Sequence, residues 1–139
     1  MKFRFMKNLL LISFIIATIV VLPASAIQIP VGSYPYSSED FEIASALKYL
    51  RGLQQSDGCI GDFATSAWAV MAIAAAGEDP HTWAPDGISV IDYLKANTLL
   101  LNLSRASDVE RYILAMTAAK EDPRNVEGVD YVAILEGLF

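Results

Sequence analysis

The hydrophobic pattern divides the chain into two unlike parts. Lys2, Arg4 and Lys7 precede an apolar run of 14 residues from Leu9 to Leu22, interrupted only by Ser13 and Thr18, and Pro23-Ala24-Ser25-Ala26 follows. A basic head, a short apolar stretch and an A-x-A site are the order of a secretory signal peptide, expected over residues 1–26 with cleavage after Ala26. The run is short for a bilayer span, which needs about 20 residues. An uncleaved N-terminal anchor is the alternative, and no cysteine follows the run to carry a lipid. Residues 27–38 read as an extended leader, because Pro30, Gly32 and Pro35 interrupt regular structure.

Beyond the leader the apolar positions recur at helical spacing, and no stretch sustains the period-2 alternation of a strand. A first helix is expected from Ser37 or Ser38, with Glu39, Asp40 and Glu42 in its first turn and Ile43, Leu47 and Leu50 on one face. A second runs from Thr65 or Ser66 to Ala76 and stops at Gly77. It carries no charge on any face, so it is expected to be buried on all sides. A third opens at Asp86 and passes Ile88, Ile91, Tyr93 and Leu94. A fourth starts at Ser107, where Ser107-Asp108-Val109-Glu110 fits a capping box. A fifth begins near Gly128 and is still running at Phe139.

Two blocks of this pattern repeat. Ala75-Ala76-Gly77-Glu78-Asp79-Pro80 recurs 43 residues later as Ala118-Ala119-Lys120-Glu121-Asp122-Pro123, and Tyr49-Leu50-Arg51 recurs 44 residues later as Tyr93-Leu94-Lys95. A third copy opens at Tyr131-Val132. Each copy is an amphipathic helix, a turn and a more apolar helix ending in Glu-Asp-Pro, whose proline is expected to stop the helix. Helix pairs at a period of 40–47 residues indicate a stacked α/α array, with the apolar helices in an inner layer.

Composition narrows the chemistry. The chain has 139 residues and a net charge of −6. Removal of the signal peptide leaves 113 residues with all 16 acids but only 7 of the 10 bases, so the charge deepens to −9. That balance argues against nucleic acid as a partner. One cysteine, Cys59, excludes an internal disulfide and a multi-cysteine zinc site, and it is expected to be buried as a small apolar residue. One histidine, His81, disfavours His-pair metal sites and His-based triads.

Residues 50–63, Leu-Arg-Gly-Leu-Gln-Gln-Ser-Asp-Gly-Cys-Ile-Gly-Asp-Phe, resemble the QW-type repeat of the α/α-toroid superfamily: a Leu, three residues, Gln, then Asp-Gly and an aromatic. Leu50, Gln54, Asp57, Gly58 and Phe63 fill the pattern, and the turns at Asp79-Pro80 and Asp122-Pro123 look like those of the same group. The resemblance covers roughly Phe41 to Phe139. It is strongest to secreted microbial and archaeal proteins with prenyltransferase/squalene-oxidase repeats, related to the terpenoid (squalene) cyclases. It implies an all-α fold over residues 39–139, a partial α/α toroid of about two and a half helix-pair copies. It says little of function, because folds host many functions. Gln54 is expected to bond open backbone groups where the outer helix ends, Asp57-Gly58 to form a tight turn, and Phe63 to anchor the loop.

The chemistry of that superfamily is not carried over. The cyclases protonate substrate from an Asp-x-Asp-Asp cluster, which this chain lacks, and Asp57 and Asp62 read as turn residues rather than acids of catalysis. The prenyltransferases hold zinc with Asp, Cys and His, and no ligand spacing joins Cys59 to His81. A reactive thioester is missing the Glu-Gln pair it needs. No catalytic, cofactor-binding or metal-binding residue is therefore assigned, and no cofactor is expected. Trp68, Trp83, Tyr93 and Tyr112 are candidates to line a pocket for an apolar ligand, Trp68 and Tyr112 above all, although core packing is the favoured reading of Trp68. Asn102-Leu103-Ser104 is a glycosylation sequon.

A closed toroid needs more helix pairs than 113 residues hold, so the array is expected to expose apolar edges. Either Phe139 is not a natural domain end, or a second copy or partner domain covers the open edge. The expected function is that of an exported or cell-surface, non-catalytic binding module. A fragment or remnant of a cyclase or prenyltransferase-like enzyme is the alternative.

Overall fold

The computed structural model describes residues 38–139, so the expected signal peptide and nearly all of the leader lie outside the described residues. The described chain is all-helical. Five α-helices follow in order: α1 Phe41–Leu53, α2 Phe63–Ala75, α3 Val90–Ala96, α4 Ala106–Ala118 and α5 Tyr131–Glu136. Short 3-10 turns cover Pro80–Thr82 and Thr98–Leu100. Extended pairing among the described residues is confined to two isolated antiparallel bridges, Gln54 with Ile60 and Val126 with Val129. None of the described helices is long and apolar enough to cross a membrane.

Three of the five helices begin under a side-chain cap, and most starts shift from the sequence expectation. α1 begins at Phe41, because Asp40 is still extended at its N-cap, so Glu39 and Asp40 precede the helix and only Glu42 lies in its first turn. α2 begins at Phe63, ahead of Thr65, because Asp62 accepts the Thr65 N–H at 2.7 Å. That bond, first among its causes, holds the Asp62 carboxyl below its usual range. Ser66 is thereby freed to turn into the preceding loop, accepting from the Ile60 N–H at 2.9 Å and donating to the Ile60 carbonyl at 3.2 Å. α3 opens at Val90 rather than Asp86. Its capping box is Ser89 with Asp92, each bonding the other's backbone N–H. The box expected at Ser107 does not form. Asn102 accepts the Arg105 N–H, Arg105 accepts those of Asp108 and Val109, and this turn starts α4 at Ala106 with no side-chain cap. α5 starts at Tyr131 under Asp130, which accepts the Ala133 N–H at 2.9 Å, and it ends at Glu136, short of Phe139.

α2 and α4 have the same length at a 43-residue step, and they end alike. Gly77 donates to Ala74 and Glu78 to Ile73; 43 residues on, Lys120 donates to Thr117 and Glu121 to Met116. This is the Schellman pattern, in which a left-handed residue closes the helix. Gly77 has φ +84° and Lys120 φ +64°. α2 therefore stops at Gly77, as its sequence suggests, and α4 at Lys120; the proline of Glu-Asp-Pro, expected to stop the helix, does not do so. The prolines follow the stop, Pro80 opening the 3-10 turn. Asp79 then accepts the His81 N–H at 3.0 Å and Asp122 the Arg124 N–H at 2.9 Å, so the two turns open alike before they diverge.

The core lies between α2, α3, α4 and the loop before α2. Ile60, Val70, Ile73, Trp83, Ile91, Leu94, Val109 and Met116 are fully buried in it. The rings of Phe63 and Tyr112 stack at 5.9 Å, and Tyr131 tilts onto Tyr112 at 4.7 Å. α2 is not enclosed as its uncharged sequence suggests. Phe63, Ser66, Ala67, Ala69, Val70 and Ile73 face the core, whereas Thr65, Trp68, Ala72 and Ala75 form an exposed stripe.

Candidate functional site

The repeat motif is assembled around the loop from Gln54 to Asp62. Asp57 accepts the Cys59 N–H at 3.0 Å, and Gly58 takes φ +87° to turn the chain under α3. Gln54 is the C-cap of α1 through its backbone N–H, and its side chain bonds carbonyls outside the helix. Its Nε2 donates at 2.6 Å to the carbonyl of Trp83, 29 residues away, and more weakly at 3.4 Å to Gly58. Phe63 is buried against Tyr112 and Tyr93. Cys59 is buried, with the Ser66 hydroxyl 3.8 Å from its sulfur. Burial, with Cys59 alongside, pushes the Tyr93 hydroxyl up to about 12.

The aromatic residues considered as a pocket do not share one. Trp83 and Tyr112 are buried, and Tyr93 is nearly so. The Tyr112 hydroxyl is buried with no hydrogen-bond partner among the described residues, and that burial raises its pKa. Trp68 is 60% exposed on the stripe of α2, which corrects its assignment to the core. Trp68 and Tyr112 are thus not brought together. Asn102 is exposed in the turn before α4, where it accepts the Ser104 N–H at 3.1 Å.

The two Glu-Asp-Pro turns lie side by side around a shallow cleft lined by Ala74, Gly77, Asp79, Ala118 and Lys120. Polar side chains tie the cleft together. His81 Nδ1 lies 2.8 Å from Asp79, and its Nε2 lies 3.0 Å from Glu121 of the other turn. Lys95 of α3 donates to the same Glu121 oxygen at 2.6 Å. In the first turn Glu78 accepts from Arg51 and, at 2.8 Å, from the indole N–H of Trp83, with the Arg51 guanidinium 4.0 Å over that ring. The expectation from a lone histidine missed this linkage, because Glu121 is 40 residues away in sequence. The repeat was the available signal, since it sets Glu121 beside the turn that holds His81. Both ring nitrogens face carboxylates, so His81 links the two turns. Among the described residues, no group of three His, Cys, Asp or Glu is placed to hold a metal.

This link gives stability a pH dependence. The Glu121 bond, and then Asp79, raise the His81 pKa against the opposing effect of burial. A raised pKa means the contribution is full below the unfolded value near 6.5 and is lost as pH rises through the folded value. Glu121, whose pKa is lowered by Lys95 and then His81, contributes above about 4.5 and loses its part as pH falls. The imidazole is 41% exposed, so solvent screens the effect. Thermal melts at pH 6 and pH 8 are expected to differ by about 1–4 °C in the natural chain, with the lower value at pH 8. His81→Gln is expected to flatten that interval, and an unchanged slope in the variant would assign the dependence elsewhere.

Faces of α1 and α2 remain open on the surface. At the 44-residue step Tyr93 is 8% exposed where Tyr49 is 68% exposed, and Val90 is buried where Ala46 is exposed. At the 43-residue step Ala115 is buried where Ala72 is exposed. Positions that a neighbouring helix covers at α3 and α4 are bare at α1 and α2. No family model, no curated protein and no solved structure matches the chain.

Proposed function

We propose that the chain is an exported or cell-surface interaction module without catalytic activity, built of α/α repeats like those of the prenyltransferase/squalene-oxidase group and forming an arc of a toroid. The observation that carries this reading is the bare faces of α1 and α2: Tyr49 on one, Trp68 and Ala72 on the other, stand in solvent at positions whose counterparts are covered or mostly covered. An exposed apolar surface next to a tightly bonded repeat junction is what a binding module presents. The matched Schellman turns support the repeat reading, and the basic head and A-x-A site of residues 1–26 support export. The buried Tyr112 and the engaged His81 leave the binding role to the surface.

The test has two parts. The chain is expressed with its own N-terminus, and the exported product is sequenced from its first residue, expected to be Ile27. The same product is incubated with polyprenyl diphosphates and squalene, from which no product is expected. Retention of residues 1–26 would overturn the export reading in its cleaved form, and measurable turnover would overturn the non-catalytic one.

A further inference from the structure

The internal junction between the two repeats shows what fits the bare edge. α2 and α4 both end at the same cleft and so run in the same direction. The face of α4 turned to α2 carries Asp108, Arg111, Ala115 and Ala118. Asp108 and Arg111 pair at 2.9 Å with only 18% of each side chain exposed, Ala115 is buried, and the Arg111 charge reaches Asp62 at the head of α2. Stepping back 43 residues from this face gives Thr65, Trp68, Ala72 and Ala75, which is the exposed stripe of α2.

The opposite face behaves in the converse way. Ala64, Ala67, Met71 and Ala74 of α2 are covered or half-covered. Their counterparts on α4 are Ser107, Glu110, Leu114 and Thr117, all exposed, with Leu114 54% exposed. Each half of the internal junction thus appears a second time, uncovered, at the opposite edge of the same molecule.

We propose that copies of this chain stack head to tail, with the Leu114 face of α4 in one copy seated on the Trp68 stripe of α2 in the next. A second copy is the occupant that continues the existing junction. It brings a helix of the same length with the same termination. Ala72 and Ala75 on one side, and Ser107 and Thr117 on the other, are small enough for close approach. The two surfaces differ, so the contact is heterologous and generates a ring or an open stack rather than a two-fold pair. This inference rests on the repeat reading of the domain given above.

Site-directed cross-linking of the full chain tests it. Trp68→Cys and Leu114→Cys chains carrying different tags are co-expressed and oxidised, and the buried Cys59 stays in place with the natural chain as control. Both substituted residues are exposed, so the fold is expected to survive, and circular dichroism checks this. Mixed cross-links between the two variants are expected to exceed self cross-links of either by on the order of tenfold. In sedimentation, Trp68→Glu is expected to shift the natural chain's assemblies to monomer. Predominant Trp68→Cys self cross-links would overturn the head-to-tail arrangement in favour of a two-fold one. A natural chain that sediments as monomer, together with no cross-link between the two variants, would overturn self-association altogether. Either failure would leave the interaction-module reading standing with a different partner, whereas turnover of polyprenyl substrate would remove the reading beneath it.

Discussion

Trp83→Ala is expected to cost about 3–5 kcal/mol of folding stability, the largest loss of any single truncation in this chain. The ring is fully buried, so its removal leaves a cavity that the surrounding helices cannot fill. The position also gathers bonds from three parts of the chain. Its indole N–H donates to Glu78, its ring carries Arg51 of α1, and its carbonyl accepts both the Gln54 side chain at 2.6 Å and the Val90 N–H at 3.2 Å. The side-chain bonds disappear with the ring, while the carbonyl bonds depend on the loop holding its place. A domain of this size has a total stability of about 5–15 kcal/mol, so the variant is expected to be largely unfolded at 37 °C. Trp83→Phe keeps most of the volume and loses the indole donor, for which about 1–2 kcal/mol is expected. Urea unfolding of the three proteins measures the order, and a loss below about 1 kcal/mol for alanine would show that Trp83 is not the packing centre of the junction.

Gly58→Ala is expected to be nearly as damaging, and for a reason confined to one methyl group. A Cβ at Gly58 would stand 2.4 Å from the Ser89 carbonyl oxygen and 2.9 Å from its carbon, in a backbone at φ +87°. The obstacle is backbone, and Ser89 is the N-cap that forms the capping box of α3. Relief of the clash requires moving that cap, so left-handed strain and partial loss of the cap combine to about 2–4 kcal/mol. Gly77→Ala is the control. Its φ of +84° is similar, but a Cβ there meets nothing within 4 Å. Lys120 already occupies the equivalent position at φ +64°. About 1 kcal/mol is expected for it. Equal losses for the two substitutions, measured by denaturant titration, would show that backbone conformation alone, and not the approach to Ser89, makes Gly58 necessary.

The sequence makes the helical class and the recurring turns legible, because apolar spacing and the Glu-Asp-Pro blocks are local features. Helix starts are less legible. Asp62 and Thr65 are both good caps, and Ser89 and Ser107 both begin plausible boxes; which one closes depends on how the preceding loop arrives. The orientation of α2 is not legible at all. A helix without charge offers no sign of which side lacks a neighbour, so Trp68 reads as core although it stands in solvent. The link from His81 to Glu121 was accessible in principle through the repeat, but only if the two turns are first taken to lie side by side. Cys59 is read correctly as buried, since its neighbours Gly58 and Ile60 sit in a tight turn against Ser89 and Ser66.

The thin packing of α1 has a consequence for how the domain comes apart. Leu47 is its one fully covered side chain, and Phe41, Ala46 and Tyr49 stand in solvent. Opening free energy follows local packing, so it is uneven along the described residues. α1 and α5, each with one buried side chain, sit at the low end of that gradient and α2 with α4 at the high end. Amides of α1 and α5 are therefore expected to exchange ahead of those in α2 and α4, and anything that clasps α1 raises the stability of a segment that opens early.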